Sequence, residues 1–344
     1  MIEIDGSIGG GQVLRTAIGL SALTNEPVKI TNIRTNRREA KPGLRPQHLM
    51  GIKVVAEFCD AVVHGLKEGS TTVQFTPQGF EVKSKKIDIG TAGSVTLLIQ
   101  TLLPILIFNE KPVTLEIKGG TEVSWSPTVQ YYKNVTFPLL KKLGASLDIE
   151  IVKHGYYPKG GGVVKVSSKP TNKLRAWVCK SRGEILNLYI DSFCGSFLKG
   201  VAKEQCESAL KVFQFHYPDK KVSVVYGESQ TPSSGSSCTC YALCENSILG
   251  ASSLGERGFM GEKIGESAAE ELVTSLKTGA CLDKYMADQI LPFLALAHGE
   301  SSITIEGATD HFITNIQVIE KMLPVKFNVK GNEVSVRGVG WEEK

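Results

Sequence analysis

Residues 91–120 read TAGSVTLLIQTLLPILIFNEKPVTLEIKGG, and this stretch contains the unit on which the predicted fold is built. Small and polar residues at its start precede an apolar segment of helix length. The polar pair Asn109-Glu110 then favours a turn, and the β-rich run at 113–117 favours a strand. The stretch therefore predicts a helix, a turn and a strand in succession.

The same order occurs twice more, at 9–33 (GGGQVLRTAIGLSALTNEPVKITNI) and at 283–307 (DKYMADQILPFLALAHGESSITIEG). Each copy is followed by a second helix and strand. The second helix has a start signal each time, at Pro46, Ser126-Pro127 and Thr309-Asp310. Further strands are predicted at 70–77, 80–83, 162–166 and 333–337.

This repetition predicts an α/β fold of three repeated two-layer βαβαβ-type units in a pseudo-threefold arrangement. Chance similarity among common α/β patterns is the alternative. Residues 182–277 follow a different pattern of strands and helices, which predicts a small α/β domain inserted between units two and three. The predicted division is a large domain of 1–181 plus 278–344 and an inserted domain of 182–277.

Composition indicates an ordinary globular protein. The chain has 344 residues, a net charge of +4 at pH 7 and 42% hydrophobic residues, which does not by itself indicate nucleic-acid binding. The longest apolar run, 102–108, is too short to span a bilayer. The eight cysteines form no paired CxxC motifs, and no histidine completes the cluster at 238, 240 and 244. Without a signal peptide, they predict reduced thiols in the cytoplasm.

Two stretches suit phosphate binding. In IDGSIGGGQVLR (4–15), a strand leads through a triple-glycine turn to a helix starting near Gln12. Glycine lets the backbone approach a phosphate, although a plain tight turn fits equally. Arg37, Arg38, Lys41 and Arg45 precede a helix, and arginine matches phosphate oxygens in geometry. A solvated basic loop is the alternative there.

Two further stretches lie in loops. HGYYPKGGG (154–162) predicts a second glycine-rich hairpin, in which Tyr156 and Tyr157 either stack on bases or pack inside the protein. TPSSGSSCTC (231–240) predicts a flexible loop within the inserted domain.

The stretch TDHFITNIQV (309–318) predicts an amphipathic helix that begins at Thr309-Asp310. His311 then lies in the first turn, where free N–H groups attract anions. It can be an idle surface residue, a phosphate donor or a nucleophile. Gln47, Pro127 and His311 all stand at the start of the second helix of their units, and a pseudo-threefold arrangement would let these helix starts face one region.

Seven blocks in order resemble the RNA 3′-terminal phosphate cyclase family over nearly the whole chain. They are DGSIGGGQVLRTA, AKPGLRPQHL, GTAGSVTLLIQTLLP, GGTE, HGYYPKGGG, YMADQ and HFITNIQVIEKMLP.

The resemblance implies an enzyme of the ATP-dependent ligase class. It would convert an RNA 3′-terminal phosphate into a 2′,3′-cyclic phosphodiester, using ATP and a divalent metal, Mg²⁺ or Mn²⁺. His311 matches the family's nucleophile, which forms a covalent histidine–AMP and then RNA(3′)pp(5′)A, with release of pyrophosphate and AMP. The implied partner is an RNA with a 3′-phosphate end.

The resemblance also implies which residues bind these substrates. Arg37, Arg38 and Arg45 would contact phosphates of ATP or RNA, and Pro127 would pack on adenine. The implied ATP-pocket residues are Gln12, Arg15, Gln47, Pro127, Tyr285, Asp288 and Gln289.

Two positions depart from the family pattern. Ile8 stands where the family's glycine loop has a Glu that helps to hold the metal, and an apolar side chain cannot ligate Mg²⁺. ATP phosphates and water, or Glu3 or Asp5, are the alternatives. Gln130 replaces an acidic residue near the adenine pocket.

Two other functions stay open. One is a non-catalytic cyclase-like protein acting in ribosomal RNA processing. The other is a transferase of the enolpyruvyl type, which has similar repeated α/β units and would form no covalent AMP.

Overall fold

The computed structural model describes residues 1–36, 42–255 and 260–342. Strands and helices are interspersed along the whole described chain, so the prediction of an α/β fold is confirmed at this level. The strands are β1 (Ile2–Asp5), β2 (Val28–Thr31), β3 (Val62–His64), β4 (Val73–Thr76), β5 (Lys85–Asp88), β6 (Val113–Gly119), β7 (Ser146–Lys153), β8 (Gly162–Lys169), β9 (Val178–Cys179), β10 (Ile185–Gly195), β11 (Val222–Ser229), β12 (Ser236–Cys244), β13 (Ile248–Leu254), β14 (Glu300–Thr304), β15 (Phe327–Lys330) and β16 (Glu333–Arg337).

The helices connect these strands and cover the sheets. They are α1 (Gly11–Thr24), α2 (Pro46–Phe58), α3 (Val95–Ile107), α4 (Val129–Tyr131), α5 (Phe137–Lys142), α6 (Val201–His216), α7 (Gly261–Lys277), α8 (Lys284–Gln289), α9 (Leu291–Leu296) and α10 (Asp310–Met322). A 3₁₀ turn at Gly6–Ile8 precedes α1, and a π-helical segment at Tyr132–Thr136 joins α4 to α5. No helix among the described residues is long and apolar enough to cross a membrane.

The strands form four-stranded sheets with two different orders. Three sheets run β1-β2-β4-β3, β5-β6-β8-β7 and β9-β14-β16-β15. In each of these the first pair is parallel and the other two pairs are antiparallel. The fourth sheet runs β11-β10-β12-β13, and its parallel pair is β11 and β10. The edge strand of this pair is the second of the four strands along the chain, whereas in the other three sheets it is the first.

The buried apolar side chains fall into two clusters. The larger cluster includes almost the whole apolar length of α3, which begins where the Ser94 hydroxyl accepts from the Leu97 N–H at 3.2 Å. The smaller cluster lies between β10–β13 and the helices α6 and α7. Polar bonds cross between them, among them Asn134 Nδ2 to Asp191 Oδ2 at 2.9 Å. The division into two domains stays a prediction.

One predicted strand is wrong. Residues 80–83 form no strand, and β5 begins at Lys85 instead. The side chain of Asn109 explains the difference. It accepts from the Val82 N–H at 2.8 Å and donates to the Val82 carbonyl at 3.3 Å. The backbone groups that a strand would offer to a neighbour are therefore already bonded.

Candidate functional site

A cavity of about 570 Å³ lies where the starts of α1, α2 and α10 meet α8. We call it the first cavity. The described residues predicted to bind substrate all line it, although they come from distant parts of the chain. They are Gln12, Arg15, Arg45, Gln47, Pro127, Tyr285, Asp288, Gln289 and His311. Arg37 and Arg38 were also predicted, and they lie outside the described residues.

The glycine-rich turn delivers the start of α1 to this cavity. Gln12 Nε2 donates to Asp288 Oδ2 at 2.6 Å, and Arg15 Nε donates to Gln100 Oε1 at 2.7 Å. Gly11 permits the close approach of α2, because a Cβ atom there would lie 2.5 Å from His48 Nε2. The turn therefore has a packing reason in addition to any ligand.

His311 is exposed in the first turn of α10, at the cavity wall. Thr309 caps this helix, since its hydroxyl accepts from the Phe312 N–H at 3.1 Å. Asn315, one turn later, accepts from the Thr16 hydroxyl at 2.7 Å and donates to the Asp288 carbonyl at 2.7 Å. These bonds hold α10 against α1 and α8. The positive end of the helix dipole at this first turn favours an anion beside His311.

Two aspartates lie at or beside this cavity: Asp288 in its lining, and Asp283 behind Tyr131 and Tyr285, to which it is bonded. The fully buried Asp283 accepts from the Tyr131 hydroxyl at 2.7 Å and from the Gly250 N–H at 2.9 Å, and burial raises its pKa to about 6. Burial likewise raises the pKa of Asp288 to about 7, against the opposing effect of the Gln12 amide. Because Asp288 is only partly ionised near neutral pH, it repels a phosphate less than a fully ionised carboxylate would, and an anionic ligand nearby is tolerated.

Two amide oxygens at the cavity have no hydrogen-bond partner among the described residues. They are Oε1 of Gln12 and Oε1 of Gln289, both buried. The nitrogen of Gln289 is already used, donating to the Tyr285 carbonyl at 2.8 Å. Buried acceptors are normally satisfied. The cavity therefore suits a ligand that brings N–H or O–H donors to these oxygens.

Sequence reasoning missed several lining residues. Gln100 is the only amide in the apolar helix α3, which was the available signal for its bond to Arg15. Arg34 is buried with a left-handed backbone, and its Nη1 donates to the Gly43 carbonyl at 3.2 Å. Trp125 also has a positive φ, 64°, yet its side chain is 95% exposed at the cavity rim. No local pattern predicts either backbone conformation.

The cavity offers few metal ligands. No group of three or more His, Cys, Asp or Glu residues in the described part of the chain could hold a metal ion. Asp288 is the only carboxylate among the described lining residues. The two carboxylates considered as substitutes are engaged elsewhere. Glu3 pairs with Lys29 at 3.1 Å, and Asp5 accepts from the Ser7 N–H at 2.9 Å.

Comparison with known proteins gives one consistent result. A sequence model of the RNA 3′-terminal phosphate cyclase family matches residues 7–329. The RNA 3′-terminal phosphate cyclase of Methanopyrus kandleri is 42% identical over 341 residues, covering 97% of this chain and 96% of that protein. The protein of the same name from Methanosarcina barkeri is 43% identical over 337 residues, covering 97% and 98%.

The similarity to solved structures is much weaker. An EPSP synthase from Acinetobacter baumannii covers 99% of this chain and 66% of its own, with 10% identity and a TM-score of 0.25, which supports no argument. The two sequence relatives, by contrast, are more than 40% identical over 97% of this chain. This chain therefore belongs to the RNA 3′-terminal phosphate cyclase family.

Proposed function

We propose that this protein converts an RNA 3′-terminal phosphate into a 2′,3′-cyclic phosphodiester at the expense of ATP. The observation that carries the proposal is the convergence on one cavity of His311 and the described residues implied for ATP. The family relatives carry the name of this activity. A non-catalytic relative would not need a histidine at this helix start.

In the first step, an imidazole nitrogen of His311 attacks the α-phosphorus of ATP. A P–N bond forms, the bond from that phosphorus to the α–β bridging oxygen breaks, and pyrophosphate leaves. The attacking nitrogen must be unprotonated. The N–H groups at the start of α10 stabilise the charge that grows on the phosphoryl oxygens. Arg15 also lines the first cavity, where Gln100 orients its side chain, and its positive charge suits the phosphates of ATP.

In the second step, an oxygen of the RNA 3′-phosphate attacks the phosphorus of the histidine–AMP. The P–N bond breaks, and RNA(3′)pp(5′)A forms. The neighbouring ribose 2′-OH then attacks the 3′-phosphorus and loses its proton, while the bond to AMP breaks. The products are the cyclic phosphodiester and AMP. Together these transfers replace one difficult condensation by a series of easier displacements.

The nucleoside would be held on the side of the cavity away from His311. Pro127 and Tyr285 offer apolar surface for adenine, and the Tyr285 hydroxyl is fixed by donation to Glu271 Oε1 at 2.6 Å. The unpartnered oxygens of Gln12 and Gln289 match the donors of the adenine amino group and the ribose hydroxyls. Arg45, near the entrance, suits a phosphate of either substrate.

The residues at the first cavity offer a divalent metal few protein ligands, so the metal would have to be held mainly by the bound ATP and by water. Magnesium in nucleotide sites keeps several waters and binds mainly through phosphates. With Ile8 in the glycine loop and few carboxylates at the cavity, ATP phosphates and water would carry Mg²⁺ or Mn²⁺ here. When bound, the metal would neutralise charge on the departing pyrophosphate.

The repeat organisation belongs to the same proposal. Three units arranged about a pseudo-threefold axis would bring equivalent helix starts to a common centre. Gln47, Pro127 and His311, at three such starts, line one cavity, and this supports the arrangement.

The deciding experiment is self-labelling with ATP that carries a reporter on the α-phosphate, followed by denaturation. We expect label on the wild type and on His64→Asn, whose histidine is exposed on β3, and a complete loss in His311→Asn. RNA with a 3′-phosphate should then discharge the label and become cyclic. Wild-type protein that stays unlabelled with Mg²⁺ and with Mn²⁺ would overturn the proposal and favour the non-catalytic alternative.

A further inference from the structure

A second, larger cavity of about 1120 Å³ adjoins the first. The two share Arg45, Gln47, Trp125 and Leu254 in their walls. Two loops that the ATP chemistry does not use meet in its lining: the hairpin at 154–162 and the serine-rich loop at 231–236. Part of its lining comes from the predicted large domain (residues 45–47, 91–93, 122–125 and 156–159), and part comes from the segment predicted as an inserted domain (residues 232–236 and 254–255).

The contact between these two loops is closely fitted. The Lys159 N–H donates to the Ser233 hydroxyl at 3.0 Å. A Cβ atom at Gly235 would lie 2.3 Å from the Tyr156 ring, and one at Gly161 would lie 2.8 Å from Pro232 Cγ. Both glycines are needed for this approach. The cleft is therefore a built feature and not a gap between loosely placed loops.

The rim of this second cavity carries aromatic side chains that the core does not use. Trp125 is 95% exposed and Tyr157 is 74% exposed, and both line the cavity. A large aromatic side chain in water is available to stack on a planar partner, and every nucleic-acid base has such a face. Lys159 and Arg45 in the same wall supply positive charge for a phosphate backbone.

The floor contains an acceptor without a partner. Glu122 is 3% exposed, and its Oε1 lies 3.3 Å from His154 Nδ1. Its Oε2 has no hydrogen-bond partner among the described residues. A ligand with O–H or N–H donors would satisfy this oxygen, and ribose hydroxyls and base edges are such donors.

From these features we infer that the second cavity binds the single-stranded RNA immediately before its 3′-phosphate. This inference rests on the proposed function. When the 3′-phosphate lies beside His311 in the first cavity, the rest of the RNA chain must lie outside it. The second cavity adjoins the first and shares Trp125 with it, so it is the neighbouring space that can take this RNA. Stacking on Trp125 and Tyr157 reads no sequence, so one cleft accepts many RNA ends.

The first test measures binding of a fluorescent single-stranded RNA with a 3′-phosphate, at fixed salt. Tyr157 lines only the second cavity, so Tyr157→Ala isolates it. We expect its Kd to rise about tenfold, the scale of one lost base stack. Phe215→Ala is the matched control, because Phe215 is an equally bare aromatic residue on α6, 81% exposed, and should bind RNA as the wild type does.

The second test needs no variant. RNA carrying 4-thiouridine next to its terminal nucleotide is photo-crosslinked to the wild type, and the linked peptides are mapped. We expect crosslinks within 122–125, 156–159 or 232–236. Crosslinks confined to other faces overturn the inference, whatever Tyr157→Ala does. So does wild-type affinity in Tyr157→Ala.

Self-labelling of the same wild-type preparation separates the two proposals. If His311 is labelled and the crosslinks lie outside the second cavity, the proposed ATP chemistry is supported and only the inference of RNA binding in the second cavity is overturned. Absence of label with crosslinks inside the cleft keeps the RNA path and removes the ATP chemistry.

Discussion

The two cavities share a wall but are built differently. Side chains in the first are held by partly buried hydrogen bonds between distant segments, such as Gln12 to Asp288 and Arg15 to Gln100. The second presents the exposed aromatic residues Trp125 and Tyr157, and Tyr157 lies on a loop whose contact with its neighbour depends on glycines. The difference corresponds to two recognition tasks. A nucleotide of fixed structure suits a preorganised set of donors and acceptors, whereas RNA ends of varied sequence suit stacking surfaces.

This contrast assigns different costs to mutation. Changes in the buried network of the first cavity should reduce stability as well as ligand binding. Changes at the rim of the second should alter RNA binding with little effect on folding.

The largest effect is expected at Asp283. Its carboxylate accepts from the Tyr131 hydroxyl and from the N–H groups of Gly250, Tyr285 and Met286. Asp283→Ala leaves buried donors unsatisfied and should lower the free energy of unfolding by about 3–5 kcal/mol. Urea denaturation measures this, with the exposed Asp219→Ala as control. A loss below about 1 kcal/mol would mean that the first cavity is not held by its buried bonds.

The protonation of Asp288 gives a smaller, pH-dependent effect. Its pKa is raised to about 7 by burial, so between its unfolded value and 7 the folded state holds a proton that the unfolded chain has released. Stability therefore falls as pH rises through this window. Between about pH 5 and pH 8 the wild type should lose about 2–3 kcal/mol relative to Asp288→Asn.

Asp288→Asn is a close test because the new side chain keeps an oxygen that can accept from Gln12. Thermal unfolding of both proteins across this pH range gives the comparison. Parallel pH profiles would show that Asp288 titrates normally, and the lining of the first cavity would then carry its full negative charge at neutral pH.

The sequence predicted the features whose cause is local. The start of α10 follows from Thr309 and the apolar spacing behind it, and the turn before α1 follows from its glycines. The strand predicted at 80–83 was wrong because a side chain from another segment, Asn109, bonds the Val82 backbone. The partner of Arg15 was missed for the same kind of reason, since Gln100 meets it only through packing of α1 on α3.

The smallest effect is expected at Trp125, which combines a left-handed backbone with an almost fully exposed side chain. Glycine tolerates φ of 64°, whereas alanine and tryptophan are strained there. Trp125→Gly should therefore be more stable than Trp125→Ala by about 1 kcal/mol. Both variants lack the ring, so both should lose RNA affinity equally. If Trp125→Ala were instead much less stable than the wild type, the Trp125 ring would contribute to folding. The proposed difference between a structural first cavity and a recognition surface in the second would then not hold for this shared residue.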